Sequence, residues 1–230
     1  MVNLSNQQKG SLLAFVGVMF ITPDSLFIRL SSIDTWELLF YRGAIPSVVI
    51  LIALILFYKS NLIKVTLAMG LAGLFYALTF SITNITFIVS IQNTNVANTL
   101  VMIATAPMLS AILAAVFLKE NPDKNTWIAI LITFLAVVYI FFDSFKLGNF
   151  FGDIFGLITA LGLAVGANII RSVRDKDLVP AAVIGKFLVA IFALFFVDNL
   201  ILQGRDNIIV PLMCIMCCLL YTSPSPRDLD

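Results

Sequence analysis

Residues 35–58, TWELLFYRGAIPSVVILIALILFY, decide the fold. A bilayer core of about 30 Å is crossed by roughly 20 helical residues, and this run is that long and almost wholly apolar. It also carries one arginine, Arg42, inside the apolar stretch. Placing a cation there costs at least about 2.5 kcal/mol even on the mildest insertion scales, so an intramembrane Arg marks a functional site and demands a partner.

The rest of the chain has the same character. Of 230 residues, 60% are hydrophobic and 12% charged, which is too apolar for a soluble domain and defines an all-α polytopic membrane protein. The net charge of +1, without basic or acidic blocks, offers nothing to nucleic acid. There is no histidine, and the three cysteines, Cys214, Cys217 and Cys218, lie in an apolar Met/Leu/Ile context near the end. No catalytic residue, metal site or cofactor is therefore expected. The start, MVNLSNQQKG, runs into an apolar stretch with no small-residue cleavage pattern and reads as a retained first span.

Eight apolar segments meet the length criterion: residues 11–31, 36–58, 67–90, 96–118, 126–142, 151–171, 179–199 and a short 207–221. Their short connections predict a bundle of antiparallel neighbours with no soluble domain. If the spans alternate, Lys9, Lys59, Lys64, Lys119, Lys124, Arg171, Arg174 and Lys176 share one side, against Arg29, Lys146 and Arg205 on the other. The bias of basic loops places the N-terminus in the cytoplasm.

Depth can then be assigned to polar residues. Thr22-Pro23-Asp24-Ser25 interrupts the first span, either as a proline kink or as a broken helix restarting at Pro23 with Thr22 as its cap. Asp24 and Arg42 both lie about 10 Å below the outer face, at 1.5 Å per residue. Asp24 is thus the counter-ion expected for Arg42, or the carrier of a coupling proton, with Glu37 as an alternative nearer the interface. Asn84 in the third span, and Asn95 and Asn98 at the start of the fourth, offer amides to a polar substrate or to one another. Pro107 frees a mid-membrane carbonyl in the fourth span. The fifth span is apolar all round, so it either faces lipid or forms a homodimer contact.

An internal repeat supports a transporter-like bundle. A shift of 142 residues lays Phe27-Ile28-Arg29 on Ile169-Ile170-Arg171, and a shift of 144 lays Arg42 on Lys186. The shift crosses five helices, an odd number, so the halves insert with opposite orientation. Arg42 is then expected near the outside and Lys186 near the cytoplasm, two cations able to attract an anionic or zwitterionic substrate from either face. Gly148, Gly152, Gly156, Gly162 and Gly166 in the sixth span read as close-packing positions.

Leu39-Phe40-Tyr41-Arg42-Gly43, the stretch Thr94 to Pro107 (TNVANTLVMIATAP), Phe117-Leu118-Lys119-Glu120 and Gly152-Asp153 together resemble the EamA-type members of the drug/metabolite transporter superfamily over residues 10–200. The resemblance implies two inverted five-helix repeats, of which eight spans of ten are present, at residues 10–143 and, in part, 150–212. It also implies export or exchange of small metabolites such as amino acids at the bacterial inner membrane or plasma membrane. The closing CLLYTSPSPRDLD looks like translated adapter sequence, so residues 213–230 are set aside as a non-native tail. The function expected is a transporter for amino-acid-like or organic anions, its partners the substrate and the bilayer. Site residues are Arg42, Lys186, Asn84, Asn95, Asn98 and Pro107, with Asp24 or Glu37 as counter-ion. A membrane-embedded lipid-modifying enzyme would need a nucleophile or acidic motif that these spans lack. A non-transporting scaffold is the third class.

Overall fold

A computed structural model describes residues 23–120, 122–147, 150–173, 175–202 and 204–221, excluding the side chains at 140, 142–147 and 217–221. Every regular element among these residues is helical. In chain order they are α1 (Asp24–Leu30), α2 (Thr35–Tyr58), α3 (Leu62–Ala68), α4 (Gly70–Asn93), α5 (Val96–Ile103), α6 (Ala106–Phe117), α7 (Lys124–Leu147), α8 (Phe150–Ser172), α9 (Val179–Leu194) and α10 (Asp206–Tyr221).

By length and composition, Thr35–Ala68, Gly70–Asn93, Val96–Phe117 and Phe150–Ser172 can each cross a bilayer. Lys124–Tyr139, Val179–Leu194 and Asp206–Met216 are apolar but shorter. Most of the first expected span, Thr22 included, lies outside the described residues, as do Gly148 and the side chains of Cys217 and Cys218. Val210, Met213 and Cys214 are fully buried in the largest core cluster. The fold thus uses two side chains from the stretch set aside as a tail.

Local chemistry sets the boundaries. Asp34 begins α2 by accepting the Trp36 N–H at 3.1 Å, and Asn95 begins α5 by accepting that of Ala97 at 3.2 Å. The fourth span is broken rather than continuous: α5 ends at Ile103, and Thr105 turns back on the Met102 carbonyl through both its N–H and its hydroxyl. Pro107, second residue of α6, lacks the N–H that a continuous helix would need there.

Two packing seams hold the bundle. Along α4 and α8, small and hydroxylated residues meet: Thr86 and Thr159 share a hydrogen bond at 2.8 Å, and a Cβ at Gly156 would stand 3.1 Å from the Ser90 hydroxyl. Such close approach drives helix association where lipid offers no hydrophobic gain. Along α2 and α9, a Cβ at Gly43 would lie 2.7 Å from the Ala190 nitrogen and 2.8 Å from the Lys186 carbonyl oxygen.

The loops gather at two ends. At one, Tyr58 bonds Asp177, and Arg171 grips Glu120 at 2.6 and 2.7 Å. At the other, Arg29 donates to the Thr94 carbonyl, Ser32 bonds Asp206 and Thr35 bonds Gln92.

Replacing Gly43 with Leu drives a side chain into the α9 backbone. It is expected to destabilise the bundle by about 2 kcal/mol, typical of overpacking, read as an earlier loss of the monodisperse peak when the detergent-solubilised protein is heated. The same change at Gly204, with φ +57° but nothing within 4 Å, strains only a loop and should leave the bundle seam intact.

Candidate functional site

The site is built on one stripe of α4. Phe80, Asn84 and Phe87 recur at i, i+4 and i+7, so they share a helix face. Each cation of the sequence reading is set against that face. The Arg42 guanidinium carbon lies 5.5 Å from the Phe87 ring centroid, and Lys186 Nζ lies 5.6 Å from that of Phe80, within cation–π range. Between the rings, Lys186 Nζ donates to Asn84 Oδ1 at 2.7 Å.

Arg42 is 7% exposed and forms an ion pair with Asp24, itself 4% exposed. The chain reverses between Leu30 and Thr35, and α1, packed on α10 and α4, presents Asp24 to Arg42. Pro46 adds a second polar feature: it has no N–H for the carbonyl of Arg42, four residues earlier.

Lys186 is 3% exposed. Its carbonyl touches the Gly43 position, while the rings that the two cations meet lie seven residues apart on α4, about 10 Å along its axis, Phe87 toward the Arg29 end and Phe80 toward the Tyr58 end. The expectation of separate ends placed Lys186 a third of the way into a span of residues 179–199. The helix is only 16 residues long, and seven residues in from Val179 is its middle.

The structure therefore brings Arg42, Asp24, Asn84 and Lys186 together. It puts the other expected residues elsewhere. Glu37 is half-buried on α2 and joins no ion pair among the described residues. Asn95 is exposed and caps α5, as the rule for helix starts would have indicated. Asn98 is half-buried on α5, which packs mainly on α8. Pro107 is exposed.

One buried carboxylate was not anticipated as part of any site. Asp153 is completely buried in the first turn of α8; its Oδ1 accepts the Thr94 hydroxyl at 2.6 Å, and its Oδ2 has no partner among the described residues. A span starting at residue 151 placed it at the interface. The signal for its burial is the glycine beside it: a Cβ at Gly152 would stand 2.6 Å from the Thr94 nitrogen, so α8 starts pressed against the α4–α5 corner.

A helical bundle of membrane-crossing length with charged residues paired in its interior has the construction of a multi-pass membrane transporter. A sequence model of the EamA-like transporter family matches residues 8–142, more than half of the chain, and the chain belongs to that family. It is a membrane transporter of the drug/metabolite type. No match was found among curated proteins or among solved structures.

Removing one member of a buried ion pair strands the other, at about 3–5 kcal/mol. Asp24→Asn and Arg42→Gln are each expected to lower thermal stability markedly. The double variant should be more stable than either single one, which a double-mutant cycle of detergent-solubilised protein would read as a favourable coupling.

Proposed function

We propose that the layer of Arg42, Asp24, Asn84 and Lys186 is the substrate site of a transporter that exports or exchanges small polar metabolites, amino-acid-like or organic anions, by alternating access. The observation that carries this reading is the placement of two intramembrane cations against one stripe of α4. Buried ionisable groups in a membrane bundle are costly, and they face the interior, where substrates and ions pass.

The two cations have different tasks. Arg42 is held by a carboxylate, and Asp24 serves as its counter-ion. The described hydrogen-bond partner of Lys186 is a neutral amide, which an anionic oxygen of the substrate replaces with a net electrostatic gain. Asn84, released, then bonds a polar group of the same ligand.

The wider organisation is part of the same proposal. Residues 10–143 form a first five-helix repeat, and 150–212 a partial inverted one, giving eight spans of a ten-span plan in a bacterial inner membrane. On this reading the Tyr58 end and the N-terminus lie in the cytoplasm and the Arg29 end faces out, which the bias of the basic loops supports. Self-association, if the protein forms a homodimer, uses α7, whose described apolar side chains Ile128, Leu131, Ile132 and Leu135 are exposed.

Proteoliposomes carrying the full chain, loaded with a panel of labelled amino acids and organic acids, test the reading. Lys186→Met, which keeps the chain length and removes the charge, is expected to lower flux at least tenfold, consistent with loss of a charge-assisted contact. Wild-type flux by a well-folded Lys186→Met protein would remove the cation layer from transport.

A further inference from the structure

Away from that layer, the Arg29 end carries a cleft of about 370 Å³ lined by Arg29, Gln92, Asn93, Thr94, Asn95 and Val96. We infer that this cleft is a separate binding site for an oxyanion, a phosphate or carboxylate group, at the mouth of the bundle.

The inference rests on which polar atoms are already used. Gln92 Oε1 accepts the Thr35 hydroxyl, and Asn95 Oδ1 accepts the Ala97 N–H. Among the described residues the NH2 groups of these two amides bond nothing, so both are on offer to a ligand. Arg29 is exposed, and its hydrogen bond to the Thr94 carbonyl engages one Nη only. A guanidinium has five N–H donors in a planar fork, so most of them remain for a ligand.

Arg29 joins no ion pair among the described residues. Asn93 contributes one further donor, because among the described residues its Nδ2 bonds the Val89 carbonyl alone, at 2.7 Å. Asp153, which accepts the Thr94 hydroxyl, is fully buried and does not line the cleft.

A fork of donors anchored by a backbone carbonyl and flanked by two amides matches an oxyanion, and Arg is the residue suited to gripping one through two parallel bonds. Two sources supply the same chemistry at this end of a membrane bundle: a free anion in solution and the phosphate of a lipid headgroup. None of these residues belongs to the Arg42–Lys186 layer, so the site stands or falls independently of flux through that layer.

Two variants and two probes decide the matter on the full chain. Arg29→Gln removes the cation. Asn95→Asp keeps the cap on Ala97 but turns the cleft-facing donor into a carboxylate oxygen, so it tests the site without unfolding α5. Inorganic phosphate is titrated into detergent-solubilised protein and followed by phosphorus NMR line broadening. In parallel, phosphatidylglycerol retained from mixed phosphatidylcholine/phosphatidylglycerol nanodiscs is counted by native mass spectrometry.

Phosphate binding weakened at least tenfold by both variants establishes a site for free oxyanions. Retention of phosphatidylglycerol lost in both variants, with free phosphate without effect, establishes the same site as a headgroup clamp. If both folded variants match the wild type with both probes, or the wild type takes neither, the inference is overturned.

Discussion

A guanidinium inside an apolar bundle persists only while its charge is answered, and the arrangement around Arg42 follows from that constraint. The answer comes from Asp24, which reaches it because α1 and α2 are joined by a four-residue turn. Breaking either side would leave an uncompensated buried charge, the costly case for buried pairs. The pair therefore does more than staple α1 to α2. Gly43, the next residue, faces α9, and there the two backbones approach closely. Lys186 lies on the α9 turn that meets Gly43, so the position of the second cation depends on the neutralisation of the first.

Helix α4 carries the rest of this dependence without a charge of its own. The face with Phe80, Asn84 and Phe87 meets the two cations, while an adjacent face with Thr83, Thr86 and Ser90 packs on α8. Hydroxyls suit that second seam. They bond carbonyls of their own helix, as Thr83 does with Thr79 at 2.7 Å and Thr86 with Ile82 at 2.9 Å, and so present small, satisfied surfaces to a neighbour. The packing seam and the polar site are thus separated by rotation around one helix. Substitution in one need not reach the other.

How far the site was legible in the sequence depended on which physical rule each residue obeys. The approach of Asp24 to Arg42 followed from counting rise per residue along two antiparallel spans joined by a short turn, because both lie close to that turn. Lys186 lies seven residues in from Val179, as counted, and meets Phe80, nearer the Tyr58 end than the Phe87 that Arg42 meets. The shortness of α9, which ends at Leu194, is what no local pattern indicated. Asp153 escaped notice for a different reason. Its burial comes from the packing of Gly152 on the Thr94 backbone, a long-range contact that no local pattern reveals. Asn95 was readable in principle: an Asn ahead of an apolar run is a helix start, and that role uses the oxygen assigned to a substrate. All-α membrane architecture was fully legible, since composition alone excludes anything else.

The asymmetry between the two cations is the feature that a transport cycle can use. A carboxylate and a guanidinium form a strong charge-assisted contact, and a ligand that displaced Asp24 from Arg42 would have to replace a full negative charge with its own. The Lys186–Asn84 contact is weaker, because the acceptor is neutral, and a ligand oxyanion gains by taking its place. On the proposed reading, Arg42 fixes the field in the layer and Lys186 is the cation that exchanges partners. Since Lys186 and Asn84 sit on α9 and α4, in different halves of the chain, that exchange loosens a bond between the halves while leaving the α1–α2 pair intact. Ligand binding and relative movement of the halves are then coupled through the α4–α9 contact, where the Lys186–Asn84 bond lies beside the Ser81 hydroxyl's 2.9 Å bond to the Gly185 carbonyl.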